Sequence, residues 1–342
     1  MPIQKQLYGN MPNGEEVFAF TVTGDAIRAR ILTYGATLDA LFVPDRSGRL
    51  GDILLGFDSL EDRMAHSAYQ GESVGRCANR IAGAKFSLNG KQYVVEANEN
   101  KCTCLHGGGE FSRANWSAEP LSDTALRLTY QSPAGAMGFP GNMLASALYE
   151  LENNALRITY TATADAETPC NLTNHAYFNL RGEGDVRKHI LRIRSDTYLP
   201  IDAASIPTGE RRAVAGTPFD FNVFKQIDRA INTEDPQIVQ CKGLDHNYCI
   251  AGDPSVPAAK VLEVQSGRTM ELYTNQPGVQ VYTGNFLDSP GKGGTRQSAH
   301  SGFCLETQAW PDALNRSDFP PCSLRPGEEY KSVTLLKFGV VN

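Results

Sequence analysis

One local device recurs along this chain and limits what it can fold into: short β-rich runs joined by tight turns. Residues 84–88 and 91–95 flank Asn89-Gly90, the pair that a type I′ hairpin favours because both turn positions need positive φ. Residues 148–152 and 155–160 repeat the device around Asn153-Asn154 with strict apolar–polar alternation, and residues 260–264 and 268–273 flank Gln265-Ser266-Gly267. Further strand patterns cover residues 16–23, 26–33, 126–130, 190–194 and 332–338. Helical periodicity is confined to residues 59–66 and 224–231, too short for the crossovers of a parallel sheet. The expected class is all-β, a large antiparallel β-sandwich with few short helices.

A chain of 342 residues would divide into about two average domains. No low-complexity linker or shift of composition marks a boundary, so residues 1–342 read as a single domain; the Gly-rich stretch 289–295 is the most mobile-looking loop. With 32 basic against 38 acidic residues the net charge is −6, which argues against nucleic acid and anionic membranes as partners. No apolar run reaches the ~18 residues of a membrane span, and the opening Met1-Pro2-Ile3-Gln4-Lys5-Gln6 lacks the apolar core of a signal peptide. The eight cysteines contain no CxxC pair and read as reduced thiols, which points to the cytoplasm.

Three motif-like stretches lack the context their chemistry needs. Gly71-Glu72-Ser73-Val74-Gly75 matches a hydrolase nucleophile elbow, but no apolar strand precedes it and no amphipathic helix follows. Cys102, Cys104 and His106 do not have zinc-site spacing, so no metal is expected. Gly107-Gly108-Gly109 lacks the Lys-Ser/Thr of a phosphate loop.

Other segments place ionisable groups in apolar surroundings. If residues 171–179 form a strand, Thr173, His175 and Tyr177 share one face and Asn174 and Ala176 the other. In residues 303–308, Cys304, Glu306 and Gln308 share a face opposite Phe303 and Leu305, and a carboxylate there costs stability unless it is paired or used. In residues 278–282, Gln280 aligns with Tyr282 while the valines face away. Amides, a phenol and a carboxylate on one face suit a polyhydroxylated ligand.

These segments belong to a longer ordered set: Gly75-Arg76-Cys77-Ala78-Asn79-Arg80-Ile81, Leu105-His106-Gly107-Gly108, Gly138-Phe139-Pro140-Gly141 and residues 171–179. The set continues with Pro207-Thr208-Gly209, Thr217-Pro218-Phe219-Asp220, Gly243-Leu244-Asp245-His246-Asn247, residues 277–285, Leu305-Glu306-Thr307-Gln308, Pro311-Asp312-Ala313 and Pro326-Gly327-Glu328. In this the sequence resembles the galactose mutarotases (aldose 1-epimerases) over nearly its whole length. The resemblance implies a supersandwich of antiparallel sheets with an open sugar cleft. It also implies interconversion of the α and β anomers of galactose or glucose, a small-molecule aldose, without a cofactor. Carried over by motif, Glu306 is the catalytic base and His175 the catalytic acid. His106 and Arg80 lie beside the sugar ring, Asp245 binds hydroxyls, and Asn79, Gln280 and Tyr282 complete the lining. A histidine titrates near 6.5 and can serve as donor to the ring oxygen if a neighbouring anion raises its pKa.

Alternatives stay open for some residues. Arg80 can instead pair with a carboxylate, His106 can orient the Gly-rich loop, and Asp245-His246-Asn247 can be a turn, with His246 structural. The chain departs from the family before His106, in residues 98–104, and after it, in residues 109–113, which leaves one cleft wall and the sugar preference open. Two other functions remain on the same fold, a hexose-6-phosphate 1-epimerase and a non-catalytic sugar-binding protein. Either a monomer or a homodimer is compatible with the sequence.

Overall fold

The computed structural model describes residues 2–66, 68–250 and 253–341. Strands dominate it, in a five-stranded, a nine-stranded and a six-stranded sheet together with small two-stranded pieces. The nine-stranded sheet runs from edge strand Ser117–Ser122 through Met143–Glu152, Ala155–Ala164 and Tyr330–Val340 to Ile190–Ile193 and Lys225–Gln226. The six-stranded sheet has the order Tyr177–Phe178, Phe303–Gln308, Gly278–Tyr282, Asp245–Cys249, Thr197–Tyr198, Arg212–Ala213. Every pairing within these sheets is antiparallel.

The three hairpins form where the turns place them. Lys85–Leu88 pairs with Lys91–Val94, and Asn89 and Gly90 take φ of 51° and 75°. Met143–Glu152 pairs with Ala155–Ala164 across Asn153, whose φ is 54°. The third, Ala259–Leu262 with Arg268–Thr274, ends before the expected residue 264. There Glu263 N bonds the Arg268 carbonyl at 2.9 Å, and its carboxylate turns onto the Gln265 and Ser266 N–H groups at 2.9 and 2.6 Å, closing the turn. Leu60–Ala65 is helical, with Ser59 Oγ accepting from Asp62 N at 3.0 Å as its cap. The second expected helix begins only at Ile227, because Lys225–Gln226 pairs in the nine-stranded sheet. Pro236–Cys241 is a further helix, opened by the Asp235 cap and Pro236.

Two expectations fail. Residues 171–179 are not one strand: Thr173–Asn174 pairs with Ser73–Val74, while Tyr177–Phe178 pairs with Phe303–Gln308, and the break falls at His175-Ala176. Nor is 289–295 free. Lys292 Nζ reaches the Asp39 carbonyl, Asp52 Oδ2 at 2.7 Å and the Leu54 carbonyl at 3.1 Å, and Asp58 accepts from Gly293 N at 2.8 Å.

One apolar cluster holds residues of all three sheets: Phe20 and Ile31, Leu128, Leu272 and Leu336, and Val279, Val281, Phe303 and Leu305. The period-2 pleat points Phe303, Leu305 and Thr307 toward the nine-stranded sheet, where Thr307 bonds Thr334. Cys304, Glu306 and Gln308 therefore face the other way, into the cleft side. Two sequence motifs meet at the fully buried Arg76, which donates to the Pro140 and Gly141 carbonyls at 2.7 and 2.8 Å. This clasp fixes the chain leading into Asn79 and Arg80.

Candidate active site

Ladder register assembles one wall of the site. Cys304 stands opposite Tyr282 and Glu306 opposite Gln280; one strand further, Tyr282 stands opposite Asp245 and Gln280 opposite Asn247. A second wall comes from the short pair Arg80–Ile81 and Cys104–Leu105, which brings Arg80 beside His106. The break after Asn174 supplies His175. Together these line an open cavity of about 410 Å³ that includes Asn79, Arg80, His106, His175, Asp245, Tyr282 and Glu306. Seven of the eight sequence-derived site residues thus converge on it. Gln280 stands behind: it donates to Asp245 Oδ1 at 2.7 Å and lines a smaller adjoining space, so it orients the aspartate.

His175 Nε2 lies 3.6 Å from Glu306 Oε1 with both side chains almost fully buried. Glu306 Oε2 is buried without a hydrogen-bond partner. Burial pushes the Glu306 carboxyl well above its ordinary value; Asp245 adds to the shift and Arg80 opposes it. Burial pulls His175 down to about 4, against a hydrogen bond to its own backbone that acts the other way, so the condition of a raised His175 is not met. The resting pair is therefore a neutral imidazole beside a carboxyl that holds its proton more tightly than usual.

His106 is also held neutral, well below its ordinary value, by burial and then by His175 and Arg80. Its ring Nδ1 accepts from the Asn79 backbone N–H at 3.2 Å, while the His106 backbone N–H donates to the Asn79 carbonyl at 2.9 Å. The neutral ring consequently carries its proton on Nε2 and is a hydrogen-bond donor. His106, His175 and Glu306 each offer an atom within 4.8 Å of the others, close enough to hold a cation. A metal on His106 would need the Nε2 lone pair, and moving that proton to Nδ1 would set two N–H donors against each other, so the set does not suit one. Cys102 is exposed and Cys104 buried in the small Phe86–Phe139 cluster, so the Cys102-x-Cys104-x-His106 stretch is not a ligand set.

Arg80 settles its open alternative in both directions. It forks onto Glu99 through two 2.8 Å contacts and lies 3.7 Å from Asp245 Oδ2, while still lining the cavity. Glu99 was not legible as a site residue; it sits in the stretch that departs from the family, and Asn98 clamps that stretch to Leu105 with bonds of 2.9 and 2.8 Å. Tyr69 was missed as well. It turns at φ 54° and packs its ring 4.7 Å from His106 and 5.9 Å from His175. His246 is structural, as its alternation predicts: fully buried, near Gln237 Oε1 at 3.2 Å and against the Phe219 ring. Ser73 bonds the Tyr160 hydroxyl at 2.7 Å and the Ala36 carbonyl at 3.1 Å inside the core, so the elbow-like motif carries no exposed nucleophile.

A family model described as aldose 1-epimerase matches residues 19–337. The chain belongs to the aldose 1-epimerase family. It is 43% identical over 345 residues to the galactose mutarotase of Bos taurus, covering 99% of each chain. To the aldose 1-epimerase of Escherichia coli K12 it is 37% identical over 336 residues, covering 96% of each. Among solved structures, an aldose epimerase homologue from C. elegans superposes with a TM-score of 0.89 at 30% identity, over 95% of this chain and 99% of that one. A galactose 1-epimerase from Lactobacillus acidophilus gives 0.88 at 29% over the whole of both. Membership accounts for the sandwich of large antiparallel sheets; no described helix is long and apolar enough to cross a membrane.

Proposed function

We propose that this family member is an aldose 1-epimerase, an isomerase that converts the α and β anomers of galactose or glucose, with Glu306 as base and His175 as acid. The observation that carries the reading is the buried Glu306–His175 pair at 3.6 Å, with Glu306 Oε2 left unpartnered at an open cavity. With the pair's proton shifted onto His175 and Glu306 ionised, ring opening takes the proton from the sugar's C1 hydroxyl onto Glu306 and delivers the His175 Nε2 proton to the ring oxygen. The C1–O5 bond breaks, and C1 becomes an aldehyde. Rotation about C1–C2 presents its other face, and the same two groups reverse their roles to close the ring. After opening, Glu306 is protonated and His175 neutral, which is the state that burial favours in both groups. The dry pocket thus lowers the cost of the open-chain intermediate. His106, as an Nε2–H donor, and Arg80 hold sugar oxygens, while Asp245 accepts from hydroxyls.

A phosphorylated hexose is disfavoured by charge. The cavity offers Glu99, Asp245 and Glu306 against the single guanidinium of Arg80, which already serves two of them. Arg211 lies elsewhere, against Trp310, and Arg212 pairs with Glu210 at 2.6 Å. Polarimetry of freshly dissolved α-galactose and of galactose 6-phosphate distinguishes the readings. The expected result is fast equilibration of galactose, unaffected by EDTA, with the phosphate ester close to its buffer rate. An unchanged galactose rate would leave the protein a sugar binder at most.

A further inference from the structure

The imidazole of His175 has two ring nitrogens, and the reaction proposed above uses only Nε2. Nδ1 faces the sulfur of Cys304, with Sγ 3.6 Å away. Cys304 is completely buried, lies on the same strand and face as Glu306, and stands directly opposite Tyr177 in the ladder. We propose that Cys304 is a positioning residue for the epimerase reaction: its thiol holds the His175 ring by Nδ1 and keeps the Nε2 proton on the side of Glu306 and the sugar.

The inference rests on the epimerase reading and on the geometry around one ring. Several groups surround His175. Tyr177 stacks on it at 5.1 Å, Tyr69 lies at 5.9 Å, His106 meets it edge-on at 5.1 Å, and Glu306 faces Nε2, with Asp245 and Arg80 beyond. The rings fix its plane without directing its protons. Among the described residues Cys304 is the side chain that meets Nδ1, beside a hydrogen bond of the ring to its own backbone.

Burial keeps the thiol protonated, well above its ordinary value, so the sulfur is an uncharged acceptor. Tyr177, directly opposite in the ladder, packs beside the same sulfur and holds it against the ring. When His175 carries its second proton, Nδ1–H donates to the sulfur and the Nε2 proton is the one given to the ring oxygen, which leaves a neutral ring with its hydrogen on Nδ1. The choice of sulfur has a further consequence. A carboxylate in this place would stabilise the imidazolium and raise its proton affinity. An uncharged thiol orients the ring and leaves that affinity low, so the proton passes readily to the ring oxygen.

The test has two arms. In the resting protein, 15N–1H correlation spectra of the His175 ring should show the Nδ1–H tautomer, and Cys304→Ala should give a mixture. Kinetically, Cys304→Ala should lower kcat about tenfold with KM within about twofold and displace the acid limb of the pH–rate profile. Cys304→Ser, which restores an uncharged acceptor for Nδ1–H, should recover most of kcat. An Nε2–H tautomer in the unsubstituted protein overturns the proposal, as does a folded Cys304→Ala whose kcat and pH profile match the parent. The spectra need no substrate, so this failure is separate from failure of the epimerase reading, which polarimetry of the unsubstituted protein decides.

Discussion

Arg80 shows how a charged side chain can line a sugar site without acting as a free cation. Its guanidinium is held by the two Glu99 contacts at 2.8 Å and presented toward Asp245, and these anions push its own titration further up. A free arginine would sample many rotamers and have to be ordered by the substrate, whereas this one is ordered in advance. Glu99→Gln should therefore raise KM for galactose about tenfold with a smaller change in kcat, measured by initial-rate polarimetry. A KM within twofold of the parent would mean that Asp245 alone positions the guanidinium. The contribution of Glu99 could not be read from the sequence. It lies in a stretch unlike the family's, and nothing in the order of residues says that Asn98 will clamp that stretch to Leu105. Glu306 was legible because a carboxylate alternating with Phe303 and Leu305 needs a purpose. The state of His175 was not, because it depends on how deeply Tyr69 and Tyr177 bury the ring.

Elements whose instructions are local were read well, and those defined by distant partners were not. Asn89-Gly90 announces its hairpin because the turn conformation is a property of those two residues. The break at His175-Ala176 depends on two different partners, Ser73–Val74 and Phe303–Gln308, that lie far away in the chain. The 289–295 loop looks mobile by composition, yet Lys292 ties it to Asp39, Asp52 and Leu54. The turn that carries His106 makes a test at this scale. Gly107 has φ 65°, and a Cβ there would lie 2.1 Å from the Gly75 carbonyl oxygen. Gly107→Ala should destabilise the protein by about 2 kcal/mol in urea unfolding and cut activity further than that loss explains, because His106 moves with the turn. Stability and activity equal to the parent would show that the turn tolerates a side chain.

Across the whole molecule, burial of histidines links the fold to acidity. Desolvation holds His175 and His189 at about 4, His246 at about 3, and His106 well below its ordinary 6.5. Each binds its proton more readily once unfolded, so folding stability falls as pH drops from about 6.5 toward 4, by up to about 1.4 kcal/mol per pH unit for each group. Asp39, held below the usual carboxylate range despite its burial by Arg63, Lys292 and Arg30, acts in the same direction at lower pH. Glu72, which burial pushes up to about 7, and Glu306 act oppositely: their stabilisation is present in acid and fades as pH rises from about 4.5. The four histidines outnumber these two carboxyls. The urea midpoint should thus decline from pH 6.5 to pH 4, steeply below about 4.5, where the opposing carboxyls level off. A flat or rising midpoint over that range would contradict the assignment of neutral, buried imidazoles.

The central claim is that a buried carboxyl paired with a neutral histidine moves the proton of the anomeric hydroxyl. Its most direct test is the initial mutarotation rate of α-galactose with the parent protein and with Glu306→Gln at equal folded concentration. The substitution keeps the shape of the side chain and removes its basicity. The account predicts a fall in kcat of about 100-fold or more with an unchanged fold by circular dichroism. A turnover near that of the parent would place the base elsewhere and contradict it.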